Sequence, residues 1–162
     1  MDAIGLLPYS AAGLLLVAGA SKIRRPESMA PVLTELGLRG DRGAVGIGVA
    51  EIVAGAAGLV VGGGVPWGMV AALYLAFALL VGHLWRSGAT VECGCFGQRS
   101  TPVGPRQVAA DLGTAVLAAV GVWRDVPGLV DAGLGVGRSA AYVVGMSAGV
   151  WALRVAHTGA LR

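Results

Sequence analysis

Charge is scarce in this chain. Only 13% of its 162 residues are charged, about half the share a soluble domain carries, which argues against a globule wrapped in a polar shell. The 56% hydrophobic share and the mean hydropathy of +0.75 point instead to lipid surroundings. Cysteine is scarcer still. Two cysteines fall short of the four ligands that a structural zinc site takes. A basic stripe interleaved with aromatics is also missing. The net charge of +3 and pI near 9.3 therefore read as the Lys and Arg excess of membrane-protein loops, and nucleic acid is not an expected partner. The first apolar run has no basic segment before it, Asp2 being its only early charge. It reads as a membrane span, with no cleaved leader expected.

What is present is a series of apolar runs. Five can be read: Ile4 to Ile23, Ala44 to Val65, Trp67 to Trp85, Val108 to Trp123 and Ser139 to Ala156. Each approaches the ~20 residues that a helix needs to cross the hydrocarbon core, the fourth being short. Helices are required because an open strand would leave its backbone groups unpaired in lipid. The expectation is an all-α polytopic transmembrane bundle of four to five spans. It forms a single integral-membrane domain over residues 1–162, multi-pass in the cell (inner or plasma) membrane. Most of the 28 glycines fall inside or beside these runs. Small residues at Ala50, Ala54, Gly58 and Gly62, and at Gly145 and Gly149, make flat faces for helix packing within the chain or against another copy or subunit. Gly62-Gly63-Gly64 with Pro66 marks a tight turn between spans two and three. Trp67, Trp85 and Trp123 stand at span ends, where an interfacial belt would place them.

Counting crossings brings the loops after spans one and three to the same face. Together with the tail they hold ten of the twelve basic residues, against Arg124 and Arg138 opposite. The positive-inside rule makes that face cytoplasmic. Lys22 ends span one there, and Glu51 lies about two turns into span two. His83 and Arg86 close span three, Arg106 precedes span four, and Asp111 lies one turn into it. The loop between spans three and four carries Cys93-Gly94-Cys95-Phe96-Gly97, with both cysteines of the chain.

Two thiols one residue apart suit redox chemistry. A disulfide across C-x-C closes a small, strained ring, and strained disulfides are the more oxidising and labile ones. Basic neighbours such as Lys22, Arg86, Arg99 and Arg106 would favour the thiolate, while Glu92 opposes it. The same thiolates would also suit a soft metal, Cu(I) or Hg(II). The bland alternative is two incidental thiols. A carboxylate inside an apolar span is costly, which marks Glu51 as a functional candidate with Lys22 as its partner, long enough to snorkel. The pair reads equally well as a lock between spans one and two. Asp111 would orient an arginine or favour the start of its helix through the dipole, and the dipole is the simpler account. His83 reads as an interfacial residue more readily than as a proton relay.

The segment Val91-Glu92-Cys93-Gly94-Cys95-Phe96-Gly97 resembles the C-x-C-F-G signature of the MauE family, methylamine utilisation proteins that belong with the DoxX-like small membrane proteins. Gly19-Ala20-Ser21-Lys22-Ile23 is similar to the family's ending of the first span, and Leu36-Gly37-Leu38 to a short element after it. Glu51 stands where the family often has a glutamate. The likeness extends over roughly residues 10 to 120. It implies a DoxX-like four-helix core and a role in making or handling disulfides, alongside a thioredoxin-like partner, for proteins outside the cytoplasm. Cys93 and Cys95 would be the redox pair, with Lys22, Glu51, Arg86, Arg106 and Asp111 supporting. This chain departs from the family pattern at Ala110, where an arginine often precedes the acidic residue; Arg106, one turn earlier, is the candidate substitute. The family role wants the cysteines on the outer face, whereas loop charge puts them on the cytoplasmic one.

The reading is a membrane thiol–disulfide oxidoreductase passing electrons between a thioredoxin-like protein and a quinone as candidate acceptor. There is no second cysteine pair to act as a relay, and no other cofactor is implied. A soft-metal binder or transporter and a non-catalytic membrane assembly subunit are the alternatives.

Overall fold

The computed structural model describes residues 6–38, 40–89, 92–93, 101–130, 147–152 and 155. The described residues are helical apart from connecting turns, one two-residue β ladder and an isolated β-bridge between Gly62 and Pro127. Helix α1 runs Leu6–Arg24 and ends where Pro26 takes the backbone out of α geometry and into a 3-10 turn, Pro26–Ser28. A short helix α2, Ala30–Glu35, follows, then α3, Gly40–Val60, and α4, Gly64–Arg86. Strands β1, Glu92–Cys93, and β2, Thr101–Pro102, pair antiparallel with Cys93 opposite Thr101. Helix α5, Pro105–Trp123, has its proline in the first turn, where the missing N–H costs nothing. Residues 147–152 are helical and lie against α1, with Gly149 seated on Ser10.

The four long helices close into a ring in which α1 neighbours α3 and α5, and α4 neighbours the same two. Both α3 and α4 are long and apolar enough to cross a membrane, the two described helices that meet that measure. Helix α3 shows why lipid is the right solvent. Apart from Glu51 and Leu59, its inward face is small: Ala44, Gly48, Ala54, Gly55 and Gly58, residues that admit a neighbouring backbone. Its outward face carries Val45, Val49, Val53 and Val60, all exposed. Bulky apolar residues outside and small ones inside invert the arrangement of a water-soluble helix.

Two buried clusters fill the bundle. The larger joins Tyr9, Leu14, Leu15, Trp67, Val70 and Tyr74. The smaller joins Met29, Val32 and Leu33 with Val81, Leu84 and Val103. That second cluster ties the α1–α3 connection to the residues flanking the α4–α5 connection, so both lie at one pole of the bundle.

Several expectations change. The first connection is not a plain loop: three of its apolar residues, Met29, Val32 and Leu33, are buried through α2. Helix α3 starts four residues before the expected Ala44 and stops at Val60, and the turn covers residues 61–63 only. Gly64 and Pro66 belong to the first turn of α4. Ala50 faces outward, and Gly48 and Gly55 take the close approach instead. Trp67 is not in a belt. It is fully buried, edge-on to Tyr9 with ring centroids 5.5 Å apart, and its Nε1 donates to the Val126 carbonyl at 2.8 Å. Gly145 and most of the fifth span fall outside the described residues.

Candidate functional site

The site begins with two glycines. Where α1 crosses α3, a β-carbon on Gly19 would stand 2.5 Å from the Gly48 carbonyl oxygen, and one on Gly48 would stand 2.8 Å from the Gly19 oxygen. The backbones touch because neither residue has a side chain. Lys22 and Glu51 each lie three residues beyond a glycine, and the helices run in opposite directions. Their α-carbons are therefore offset by about 9 Å along the axis. Side chains on a helix lean toward its N-terminus, so Lys22 leans into the bundle and Glu51 leans back toward the pole. They meet midway. The Lys22 ammonium donates to both Glu51 carboxylate oxygens, at 2.7 and 2.9 Å, with both side chains 1% exposed. Lys22 therefore does not snorkel outward, and Glu51 lies eleven residues into α3, three turns from its start rather than two.

Helix α4 supplies the remaining walls. The Lys22 nitrogen lies 5.2 Å from the centre of the Phe77 ring, in cation–π range. One turn deeper, the Tyr74 hydroxyl donates to the Ala11 carbonyl at 2.8 Å, tying α4 to α1 across the ring. Asp111, buried in α5, is close enough to Glu51 and to Tyr74 for its charge to act on both. It lies beyond the first turn of α5, so the helix-dipole account of Asp111 gives way to membership of the buried cluster.

The other predicted residues sit at the rim. Arg86 closes α4 and Arg106 opens α5, both exposed. Cys93 lies on β1, which contacts α2 and so belongs to the same pole. Cys95, Gly94 and Phe96, with Arg99, lie outside the described residues. Structure thus joins Lys22, Glu51 and Asp111 inside the bundle and leaves Arg86 and Arg106 at its edge. Tyr74 and Phe77 were not anticipated. A tyrosine in mid-span was the available signal, because its hydroxyl must find a partner in an apolar interior.

The arrangement is a buried ion pair with a second carboxylate nearby, beneath a pole that carries a cysteine strand. Such a pair fixes the register of α1 on α3, since a charge left alone there would be costly. The sequence profile of the family described as methylamine utilisation protein MauE matches residues 2–124. The chain belongs to the MauE family. No protein of curated function and no solved structure shows significant similarity to it. As a MauE-family protein with two strongly apolar helices, it is a membrane protein.

Proposed function

We propose that this MauE protein is a multi-pass inner-membrane thiol–disulfide exchanger working through Cys93 and Cys95. The supporting observation is that Cys93 lies on a β ladder at the same pole as the Lys22–Glu51 pair, in a C-x-C-F-G segment of the kind the family carries. A thiolate of a thioredoxin-like partner attacks one sulfur of the Cys93–Cys95 disulfide and releases the other as a thiolate. The partner's second thiol then resolves the mixed disulfide, leaving the partner oxidised and this chain a dithiol. Two electrons and two protons leave the dithiol for a membrane quinone, which becomes the quinol as the disulfide re-forms. The buried Lys22–Glu51–Asp111 cluster keeps the pole in shape, with Arg86 and Arg106 raising the local positive potential that favours thiolate.

The test is alkylation of the protein in intact cells, with and without prior reduction, using membrane-permeant and impermeant thiol reagents. Exchange chemistry predicts that both cysteines resist alkylation until reduced, and that Cys93→Ser or Cys95→Ser traps a mixed disulfide with a second protein. The impermeant reagent reports the face. Thiols that label fully without reductant, with no mixed disulfide in either variant, would overturn the reading. Protection lost on copper chelation but not on reduction would replace it with the soft-metal one.

A further inference from the structure

A half-open groove of about 310 Å³ runs between α4 and α5 on the outside of the bundle. Its walls are apolar, with Leu79 from α4 and Val108 and Leu112 from α5. Gly82 leaves the space between them open: a β-carbon there would find only the Val108 side chain, at 3.8 Å. Leu79 and Leu112 are well exposed, so the groove faces whatever surrounds the bundle. Around a helix such as α4 that medium is the acyl-chain region.

One end of the groove differs from the rest. His83 and Arg86 line it, one helical turn apart on the last turn of α4, and both are exposed. Trp85 borders the same end and is half exposed. A tryptophan, a histidine and an arginine at the terminus of an apolar helix stand at head-group depth. The guanidinium is permanently charged, and its planar fork matches a phosphate's oxygens two at a time. The imidazole adds an N–H donor. The groove therefore offers a cation at the height of the lipid phosphates and an apolar trough running from it toward the middle of the bilayer. Basic pockets between membrane helices are the type of site that holds anionic head groups.

We propose that the α4–α5 groove is a binding site for an anionic phospholipid, its phosphate held by Arg86 and His83 and one acyl chain laid over Gly82 between Leu79 and Leu112. This assignment does not depend on the cysteine pair or on electron transfer. It makes the pole sensitive to lipid charge: a lipid seated there bridges α4 and α5, the two helices that flank the cysteine-bearing connection.

Trp85 supplies the readout. In the full chain with Trp123→Phe and Trp151→Phe, two exposed indoles are removed. Trp85 then reports the groove while Trp67 stays buried as an internal reference. The protein is reconstituted in vesicles containing acyl-brominated phosphatidylglycerol or acyl-brominated phosphatidylcholine, whose bromines quench only indoles in contact. The expected result is half-maximal quenching at a several-fold lower mole fraction of phosphatidylglycerol than of phosphatidylcholine. Arg86→Gln, an exposed change, should erase that preference while leaving phosphatidylcholine quenching in place. Gly82→Leu should reduce quenching by both lipids by filling the trough, with the far-UV circular dichroism unchanged. Equal quenching by the two lipids in the parent protein, or a preference that survives Arg86→Gln, would overturn the proposal. Displacement of brominated phosphatidylglycerol by decylubiquinone at equal mole fraction would also overturn it, marking the groove as built for a neutral ring.

Discussion

Lys22 turns inward to Glu51 although Arg24, two residues beyond it at the end of α1, is exposed. A lysine so near a helix end has an inexpensive alternative in the interface, so its burial reports how strongly the partner holds it. Removing one member leaves the other charge buried and alone, a loss of about 3–5 kcal/mol. Lys22→Met and Glu51→Leu should each lower resistance to detergent-induced unfolding by that order. The double variant should recover most of the loss, because neither member of the pair is then left without the other. Added salt should change little, since a dry pair is poorly screened. If the double variant is as unstable as the sum of the two single ones, the ion pair is not the link between α1 and α3.

The contact that permits this pair is glycine on glycine. Gly48→Ala would press a methyl group against the Gly19 carbonyl, and relief requires the two helices to separate. The expected cost is about 1–3 kcal/mol, the range for overpacking a close contact. Gly46→Ala is the matched control on the same helix, with open space where its β-carbon would go. There the loss of glycine's freedom should leave stability level or raise it by roughly 0.5–1 kcal/mol. Opposite signs in a detergent titration are the expected result, and equal effects would mean that the Gly19 and Gly48 backbones are not in contact.

At the far pole the chain turns through Gly62, whose φ of +66° few other residues adopt comfortably. A β-carbon there would overlap the Gly128 amide and the Pro127 carbonyl carbon, against which Gly62 forms a bridge. Gly37 has a similar φ of +71° but open space around it. Gly37→Ala should therefore cost only the left-handed backbone penalty, about 1–2 kcal/mol. Gly62→Ala should lower the melting temperature markedly further. Similar melting temperatures for the two variants would show that residues 126–128 do not pack on the turn.

Much of this was legible because lipid imposes simple rules. Apolar runs of the right length had to be helices, and α1, α3, α4 and α5 stand where those runs are, with ends shifted by a few residues. The Lys22–Glu51 pairing followed from the cost of a lone carboxylate in an apolar helix. Sequence could not show which way Lys22 would turn, because that depends on the crossing at Gly19 and Gly48. Nor could it show α2: Met29, Val32 and Leu33 form too short a pattern to stand out, and their burial comes from packing on Val81, Leu84 and Val103. Phe77 was hidden for a related reason: it looks like an ordinary apolar-face residue until α4 is placed beside α1. The mid-span hydroxyl of Tyr74 signals a buried partner, but that partner, the Ala11 carbonyl, emerges only once the helices are placed.

Trp67 shows how position along a span misleads when helix contacts are unknown. A tryptophan at a span end fits an interfacial belt, and Trp123, exposed at the end of α5, remains consistent with one. Trp67 instead donates to the carbonyl of Val126, in the segment that follows α5, and packs against Tyr9 of α1 and the space above Gly121. It is the point where α1, α4 and the end of α5 are held together. Trp67→Phe should leave the Val126 carbonyl without that donor and a gap beside Gly121. The Val126 carbonyl keeps the Gly63 N–H at 2.9 Å, so the expected loss from the hydrogen bond alone is about 0.5–1.5 kcal/mol. Trp123→Phe should fall within about 0.5 kcal/mol of the parent. Fluorescence gives an independent check in the same proteins: the indole lost in Trp67→Phe should be the blue-shifted one that aqueous iodide fails to quench. If Trp67→Phe and Trp123→Phe have equal stability and remove equally quenchable emission, Trp67 lies at the interface after all and the α1–α4–α5 junction is held by something else.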